Sequence, residues 1–361
     1  MRQQRGFSMI DLMVGLFVGL LVSLAVYGTA SVVGAQRRTS VSGNGAMESG
    51  MAAVYAIQHD IKSAGIGVWA NGQTICSSIN IYHSGTIANG TSLAPVVITP
   101  GSSASVSDQI TVAYSDWVLA NNAIELTSGM SSAVDAITVG NARAFTVNDF
   151  VIVGDASTTL PCTLMQVTGK STAGFGFDVA HAAGAWNPAN PGTAFTTPAT
   201  YMAGADAFDL GPPLADGSPR LNWTTWRING NNLEALNLLT STADVIANDI
   251  VMIKAYYGTS NGSAQQIEQW VAATNAWASP LDATHISAIR AIRLAIVARS
   301  PVAEKPSVIG GSCDATTTAP TSWADGPTLD LSANTSWQCY RYRVFTIVAP
   351  LKNVLFGAGG V

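Results

Sequence analysis

Three patterns of apolar and polar positions follow one another along the chain. Residues 7–36 are almost unbroken apolar sequence, "FSMIDLMVGLFVGLLVSLAVYGTASVVGAQ", with Asp11 as the one charged side chain before Arg37. Such a run is long enough to cross a bilayer core, which takes about 20 residues. Next, Met47, Met51, Val54, Ile57 and Ile61 recur near helical spacing, opposite a polar face of Glu48, His59, Asp60 and Lys62. Together these predict one helix from Phe7 to about Ala64, some 87 Å long at about 1.5 Å per residue. Gly43, Gly45 and Gly50 lie between the halves. A mid-helix glycine costs up to about 1 kcal/mol, so a kink or a melted turn is expected there. Gly65 and Gly67 supply helix-ending signals.

From about residue 70 the period changes to two. "APVVIT", "DQITVAY", "VDAITVG", "AFTVNDFVIVGD", "CTLMQVTG", "NWTTWRI", "IVMIKAYYG", "IRLAIVARS" and "YRYRVFTIVAP" predict strands, separated by loops rich in Pro and Gly. In "IRLAIVARS", Ile292, Leu294 and Ile296 share one face, and Arg293 and Arg299 take the other. The fold class expected is α+β: a long N-terminal helix, its apolar half transmembrane, packed on a large, mostly antiparallel β-rich head.

Composition narrows the function classes. Of 361 residues 48% are hydrophobic and only 11% charged, against about 25% charged in an average soluble domain. That balance suits an exported β-rich protein. The net charge of −5, with no basic run beyond Arg37-Arg38, gives no case for nucleic acid. The four cysteines, at 76, 162, 313 and 339, form no CxxC pair and show no zinc-ligand spacing with histidine. An even count in an exported chain favours two disulfides, with three connectivities possible. Cys76–Cys162 and Cys313–Cys339 are preferred because each pair brackets a coherent stretch. His59, His83, His181 and His285 are scattered, and no Ser or Cys sits in a nucleophile motif. No catalytic residue, metal site or cofactor is assigned. Trp186, Trp223, Trp226, Trp270, Trp277, Trp323 and Trp337 are read as core and loop anchors rather than a sugar-binding surface. Arg341 and Arg343 are read as a solvated or salt-bridged face.

The opening segment has a more specific reading. A short basic leader with Arg2 and Arg5 ends in Gly6; Phe7, a small hydroxyl residue, two apolar residues and Asp11 follow. This resembles the class III signal of type IV prepilins. The resemblance implies cleavage after Gly6 by a prepilin peptidase and methylation of the new amine of Phe7. The family usually has glutamate where Asp11 stands, a side chain one methylene longer. A carboxylate at this place lies one helical turn from the processed amine, or within reach of a neighbouring subunit's. Gly15 and Gly19 form a GxxxG, which lets helix backbones approach closely.

The remainder resembles the PilW-type minor pilins, which are related to type II secretion pseudopilins. "AIQHDIKSAGIG", "FVIVGDASTTLPCTLMQVTG", "WRINGNNLEAL", "DIVMIKAYYG", "AIRAIRLAIVARS" and "RYRVFTIVAPLKN" are similar, in order, to segments of that family. One departure is that Asp155 and Cys162 are separated here, whereas the family often has them adjacent. The resemblance implies a leader at 1–6, a transmembrane and filament-core half-helix at 7–36, an amphipathic half at 37–67 and a periplasmic or extracellular head at 68–361. It implies a single-pass inner-membrane protein that joins a pilus, starts its assembly and sits near its tip. Its partners would be other minor pilins, the major pilin, the prepilin peptidase, the inner-membrane assembly platform and, before assembly, lipid. The rival readings are a type II secretion pseudopilin, a major pilin of unusual size, and a tip adhesin that binds a surface ligand.

Overall fold

The computed structural model describes residues 9–357 except 71, 142, 144, 175, 261–265 and 309. Gly6 and Phe7 lie outside the described residues. One α-helix runs from Met9 to Ser63 without interruption. It leads into a head of three main sheets and a small two-stranded ribbon. Nine strands make the largest sheet, in the order Gly169–Ala173, Gly176–Ala180, Ile137–Val139, Ala123–Ser128, Asp206–Gly211, Phe150–Gly154, Cys162–Gln166, Ser78–Tyr82 and Thr86–Ser92. Five make the second: Ala243–Asn248, Asn232–Asn237, Leu221–Asn229, Gln109–Ser115 and Val96–Thr99. Four make the third: Gln269–Ala272, Ile250–Thr259, Ile289–Arg299 and Tyr342–Pro350. Neighbours are antiparallel except Cys162–Gln166, which runs parallel to Ser78–Tyr82. The chain is therefore α+β with a mostly antiparallel head.

Turn chemistry sets several strand limits. The stretch "AFTVNDFVIVGD" forms a strand only over Phe150–Gly154. Ahead of it, Asp149 Oδ2 accepts from the Thr146 N–H at 2.6 Å and Asn148 takes φ 79°, which turns the chain instead of extending it. In "WRINGNNLEAL", Asn229 pairs with Asn232 across a two-residue turn whose first residue, Gly230, has φ 64°. Cys76 and Cys162 are bonded, with Cα atoms 5.7 Å apart, and tie the residues just before Ser78–Tyr82 to the start of Cys162–Gln166. Cys313 and Cys339 are bonded as well, with Cα atoms 4.8 Å apart.

That second bridge holds the segment between Arg299 and Tyr342 against the third sheet. Leu329 and Leu331 are buried there against Met252, Ala295 and Val297. Both faces of Ile289–Arg299 are thus covered: Ile292, Leu294 and Ile296 face the main core, and Ala295 and Val297 face the bridged segment. The two arginines on the second face lie against aromatic rings. Arg293 lies 4.6 Å from the ring of Trp323 and 5.7 Å from that of Trp270. Arg299 Nε donates to Asp249 at 3.0 Å, and its guanidinium lies 4.4 Å from the Tyr340 ring.

The second and third sheets are joined by a buried charge pair. Lys254 Nζ donates to Asp108 Oδ1 at 3.1 Å, to the Val106 carbonyl at 2.6 Å and to the Ser103 carbonyl at 3.2 Å. Asp108 Oδ2 accepts from the Ala255 N–H at 2.9 Å. Both charges are fully supplied with partners, the condition under which a buried pair is tolerated.

The glycines in the middle of the helix do not interrupt it; two of them admit the head. A Cβ on Gly50 would overlap the ring of Phe345, and one on Gly45 would come within 3.2 Å of Pro301. Nothing lies within 4 Å of the corresponding position at Gly43. Gly50→Ala is therefore expected to destabilise the protein by about 1–3 kcal/mol through overpacking, with partial recovery in a Gly50→Ala/Phe345→Leu double variant. Gly43→Ala should instead stabilise it by up to about 1 kcal/mol, the ordinary helix-propensity gain. Thermal unfolding of the full chain in detergent distinguishes them; equal effects at 43 and 50 contradict the close-approach account.

Candidate functional site: an uncovered half-helix and its clamp

The long helix is used in two ways. Its front part, Met9–Ala30, is 22 residues of mean hydropathy 2.4, long and apolar enough to cross a membrane, and the head buries none of it. Leu12, Phe17 and Leu24 are 63%, 65% and 73% exposed. In water each such side chain would forfeit roughly 1.5–3 kcal/mol of burial, so this face requires lipid or protein around it. The serine and threonine hydroxyls at 23 and 29 are satisfied by the helix itself. Ser23 donates to the Gly19 carbonyl at 2.8 Å, and Thr29 to the carbonyls of Ala25 and Val26 at 3.1 and 2.9 Å, as a lipid-facing helix demands.

Asp11 lies in the first turn of this segment and is exposed. The helix N-terminus favours a carboxylate there. Gly15 and Gly19 lie one turn apart, and a Cβ on either would meet nothing within 4 Å, so that stripe is open to another helix. The amine that Asp11 is expected to face belongs to Phe7, outside the described residues.

The back half is clamped. Ala46, Ala53, Ile57, Ile61 and Ala64 are buried in one core with Ile110, Val112, Trp226, Ile292, Leu294 and Ile296. Small residues at 46 and 53 let the helix lie close to the head, and the isoleucines fill the space further along. Asp60 supplies the polar fastening. Its Oδ1 accepts from the Tyr114 hydroxyl at 2.8 Å and its Oδ2 from the Trp226 indole N–H at 3.0 Å. Tyr114 and Trp226 sit on neighbouring strands of the second sheet, so one carboxylate joins the helix to both. Burial first, then the charge of Asp60 and its hydrogen bond, push the Tyr114 phenol well above its ordinary range.

The helix C-terminus is capped from far along the chain. Asn353 Nδ2 donates to the carbonyls of Lys62, Ser63 and Ala64 at 3.4, 3.1 and 3.1 Å, occupying acceptors a helix end leaves open. Gly65, at φ 95°, turns the chain so that its N–H reaches the Ala113 carbonyl at 3.0 Å. Sequence reasoning placed Asp60 on a polar face and gave Asn353 no role. The signal for Asp60 was an acid one residue from the buried Ile61; Asn353 carried none.

The histidines occupy separate places. His59 Nδ1 is 3.5 Å from Asp60, His83 stacks on Trp186 at 4.1 Å, His181 meets the Asp135 carbonyl at 2.7 Å and His285 meets Asp282 at 2.8 Å. Trp186, Trp223 and Trp226 are buried, and Trp270, Trp277, Trp323 and Trp337 are half-buried. Arg341 is salt-bridged to Glu304, with one bond of 3.0 Å, and Arg343 is exposed.

A family model described as type IV pilus-assembly protein W, PilW, matches residues 216–353. The match supports a PilW-type pilin. It runs through the strand that carries Trp226, the whole third sheet and the Cys313–Cys339 bridge, and ends at Asn353. The matched segment thus contributes Trp226, Phe345 and Asn353 to the clamp. No curated protein and no solved structure matches the chain.

Asp60→Ala leaves a buried indole N–H and a phenol without their acceptor, and is expected to cost about 1–3 kcal/mol. Tyr114→Phe should cost about 1 kcal/mol and show less than additive loss when combined with it. Because the folded phenol pKa is raised, its contribution is present below pH of about 10 and lost as pH rises beyond that. Denaturant midpoints of the full chain at neutral and alkaline pH check this; an Asp60→Ala variant as stable as the parent refutes the clamp.

Proposed function

We propose that this chain is a minor pilin of a type IV pilus, structural rather than catalytic. Met9–Ala30 holds it in the inner membrane, with the head on the periplasmic side. Residues 1–6 are a leader that a prepilin peptidase removes after Gly6; Phe7 becomes the N-methylated start, residues 7–36 the membrane and filament-core half, 37–67 the amphipathic half and 68–361 the head. With other minor pilins it forms a complex at the assembly platform that starts the filament, is joined by the major pilin, and remains at or near the tip.

The observation that carries this reading is the division of one continuous helix. Its back half is fastened to the head by apolar packing, Asp60 and Asn353, while the 22-residue, largely apolar stretch Met9–Ala30 ahead of it stays uncovered. A subunit that moves from lipid into a filament needs that division, because the same surface must serve both surroundings. The PilW match over residues 216–353 agrees with it.

Asp11 has a defined task in this reading. Cleavage after Gly6 creates a positive amine in an apolar setting, and a carboxylate one turn away, on this subunit or a neighbour, neutralises it. Losing one partner of a desolvated pair costs several kcal/mol.

Two outcomes are expected. Mass spectrometry of the N-terminal peptide from filaments should find a methylated start at Phe7; a start at Met1, or cleavage near Ala30 or Ala35, contradicts the pilin reading. Asp11→Asn should leave leader cleavage and membrane insertion intact and reduce piliation and recovery of the other minor pilins, whereas Asp11→Glu should be close to neutral. Asn assembling normally while Glu fails would assign this position to packing rather than charge.

A further inference from the structure

The third sheet ends in an unusual edge. Tyr342–Pro350 is nine residues long, and its register with Ile289–Arg299 is regular over the whole length, from Arg299↔Tyr342 to Ala291↔Pro350. The other sheet edges are short or irregular. Val96–Thr99 and Gln269–Ala272 have four residues each and Gly169–Ala173 five. Pairing of Ala243–Asn248 slips between Leu233 and Glu234. Thr86–Ser92 slips twice and is covered by bonds from Thr86 to the Ala194 carbonyl and from the Thr196 N–H to Asn89. Soluble proteins blunt long regular edges because these recruit another strand; here one is kept.

The bonds at the two ends of the strand set its alternation. Ser300 N–H donates to the Arg341 carbonyl at 2.8 Å and Leu351 N–H to the Arg290 carbonyl at 2.9 Å. Odd-numbered residues therefore turn their backbone groups inward, and Tyr342, Val344, Thr346 and Val348 turn theirs outward. Among the described residues none of these outward groups has a backbone partner beyond the sheet. Val348 is 44% exposed, and Phe345 and Ile347 are only half-buried, whereas Leu294 and Ile296 beside them are fully buried.

Charge selects the occupant. No acidic residue follows Asp330 in the sequence, while Arg343 lies near one end of the strand and Lys352 just beyond the other. Arg341 is already paired with Glu304. A second copy would add its own Arg343 and Lys352 to an edge that is already positive and bring no acid within the strand itself, which disfavours self-pairing. Beside Arg343 an open groove of about 480 Å³ lies between Gly43 and Ala46 of the helix and Thr316 of the bridged segment. Thr316 itself closes the edge beyond, its N–H on the Gln338 carbonyl at 3.1 Å and its hydroxyl on the Tyr340 carbonyl at 2.6 Å, so the open stretch begins at Tyr342.

We infer that Tyr342–Pro350 is a docking edge for an extended strand of a different polypeptide, one that carries Asp or Glu at the ends of the paired segment. This rests on the pilus-subunit reading, within which the partner is another component of the assembly. Backbone bonds at 342, 344, 346 and 348 supply affinity, and Arg343 and Lys352 choose the partner.

The test uses the full chain, isolated in detergent and as the complex recovered from cells through a tag on this chain, with hydrogen exchange read by mass spectrometry. Amides of Val344, Thr346 and Val348 should exchange rapidly in the isolated chain and at least about a hundredfold more slowly in the complex. Thr346→Pro removes an N–H with no backbone partner in the free protein; it should keep the parent's unfolding temperature yet lower recovery of the partner by about tenfold or more. Arg343→Glu, which leaves the backbone alone, should lower recovery by a similar factor of about ten. Cross-linking mass spectrometry should identify the captured segment as acidic at its ends. The inference is overturned if pilus components are recovered while the edge stays unprotected, or if both variants recover them fully; the pilus reading survives either result. Protection that rises with concentration in the isolated chain would make a second copy the occupant and also overturn it. Recovery of no pilus component at all would overturn the pilus reading together with the inference.

Discussion

The seating of the back half of the helix is the constraint on which the rest depends. Ala46, Ala53, Ile57 and Ile61 give up their surface to the head, and Asp60 answers two donors on neighbouring strands. Because an α-helix is stiff over tens of ångströms, fixing residues 46–64 also fixes where residues 9–30 project. The head leaves those residues bare. A long apolar rod held at one end and uncovered at the other is stable only where lipid or other subunits surround it.

The head is built to hold that seat. Phe345 reaches the helix backbone because position 50 has no side chain, and Asn353 closes the helix end from close to the far side of the sequence. Lys254 and Asp108 lock the second and third sheets, both of which contribute to the helix-facing core. The bridged segment over the outer face of Ile289–Arg299 lets that strand be apolar on both sides. The clamp is therefore composite. Its apolar part is non-directional and supplies most of the energy, and its polar part sets the rotation of the helix about its axis.

Much of this was legible in the sequence, for identifiable reasons. The nearly unbroken apolar run over residues 7–36 has few alternatives to a helix, and strands rich in Val, Ile and Thr such as Gln109–Ser115, Ile250–Thr259 and Ile289–Arg299 announce themselves by composition. Strands such as "TIANGTS" at Thr86–Ser92 and "GKSTA" at Gly169–Ala173 were not legible. They carry turn residues, and their sheet partners make them strands. Position also escaped local reading at the glycines: the cost of Gly50 in an isolated helix is plain, but its use depends on Phe345, almost 300 residues away. Asn353 and Tyr114 belong to the same class, since a cap or a donor supplied across the fold leaves no mark in its own neighbourhood.

The central claim is that one surface, the apolar half of the helix, faces lipid first and other subunits afterwards, and never its own head. A photo-crosslinking residue at Leu20, which is 57% exposed, tests this directly. In membranes of cells blocked in assembly it should label lipid, and in purified pili it should link this chain to another pilus subunit. Capture of this chain's own head in either state would contradict the account.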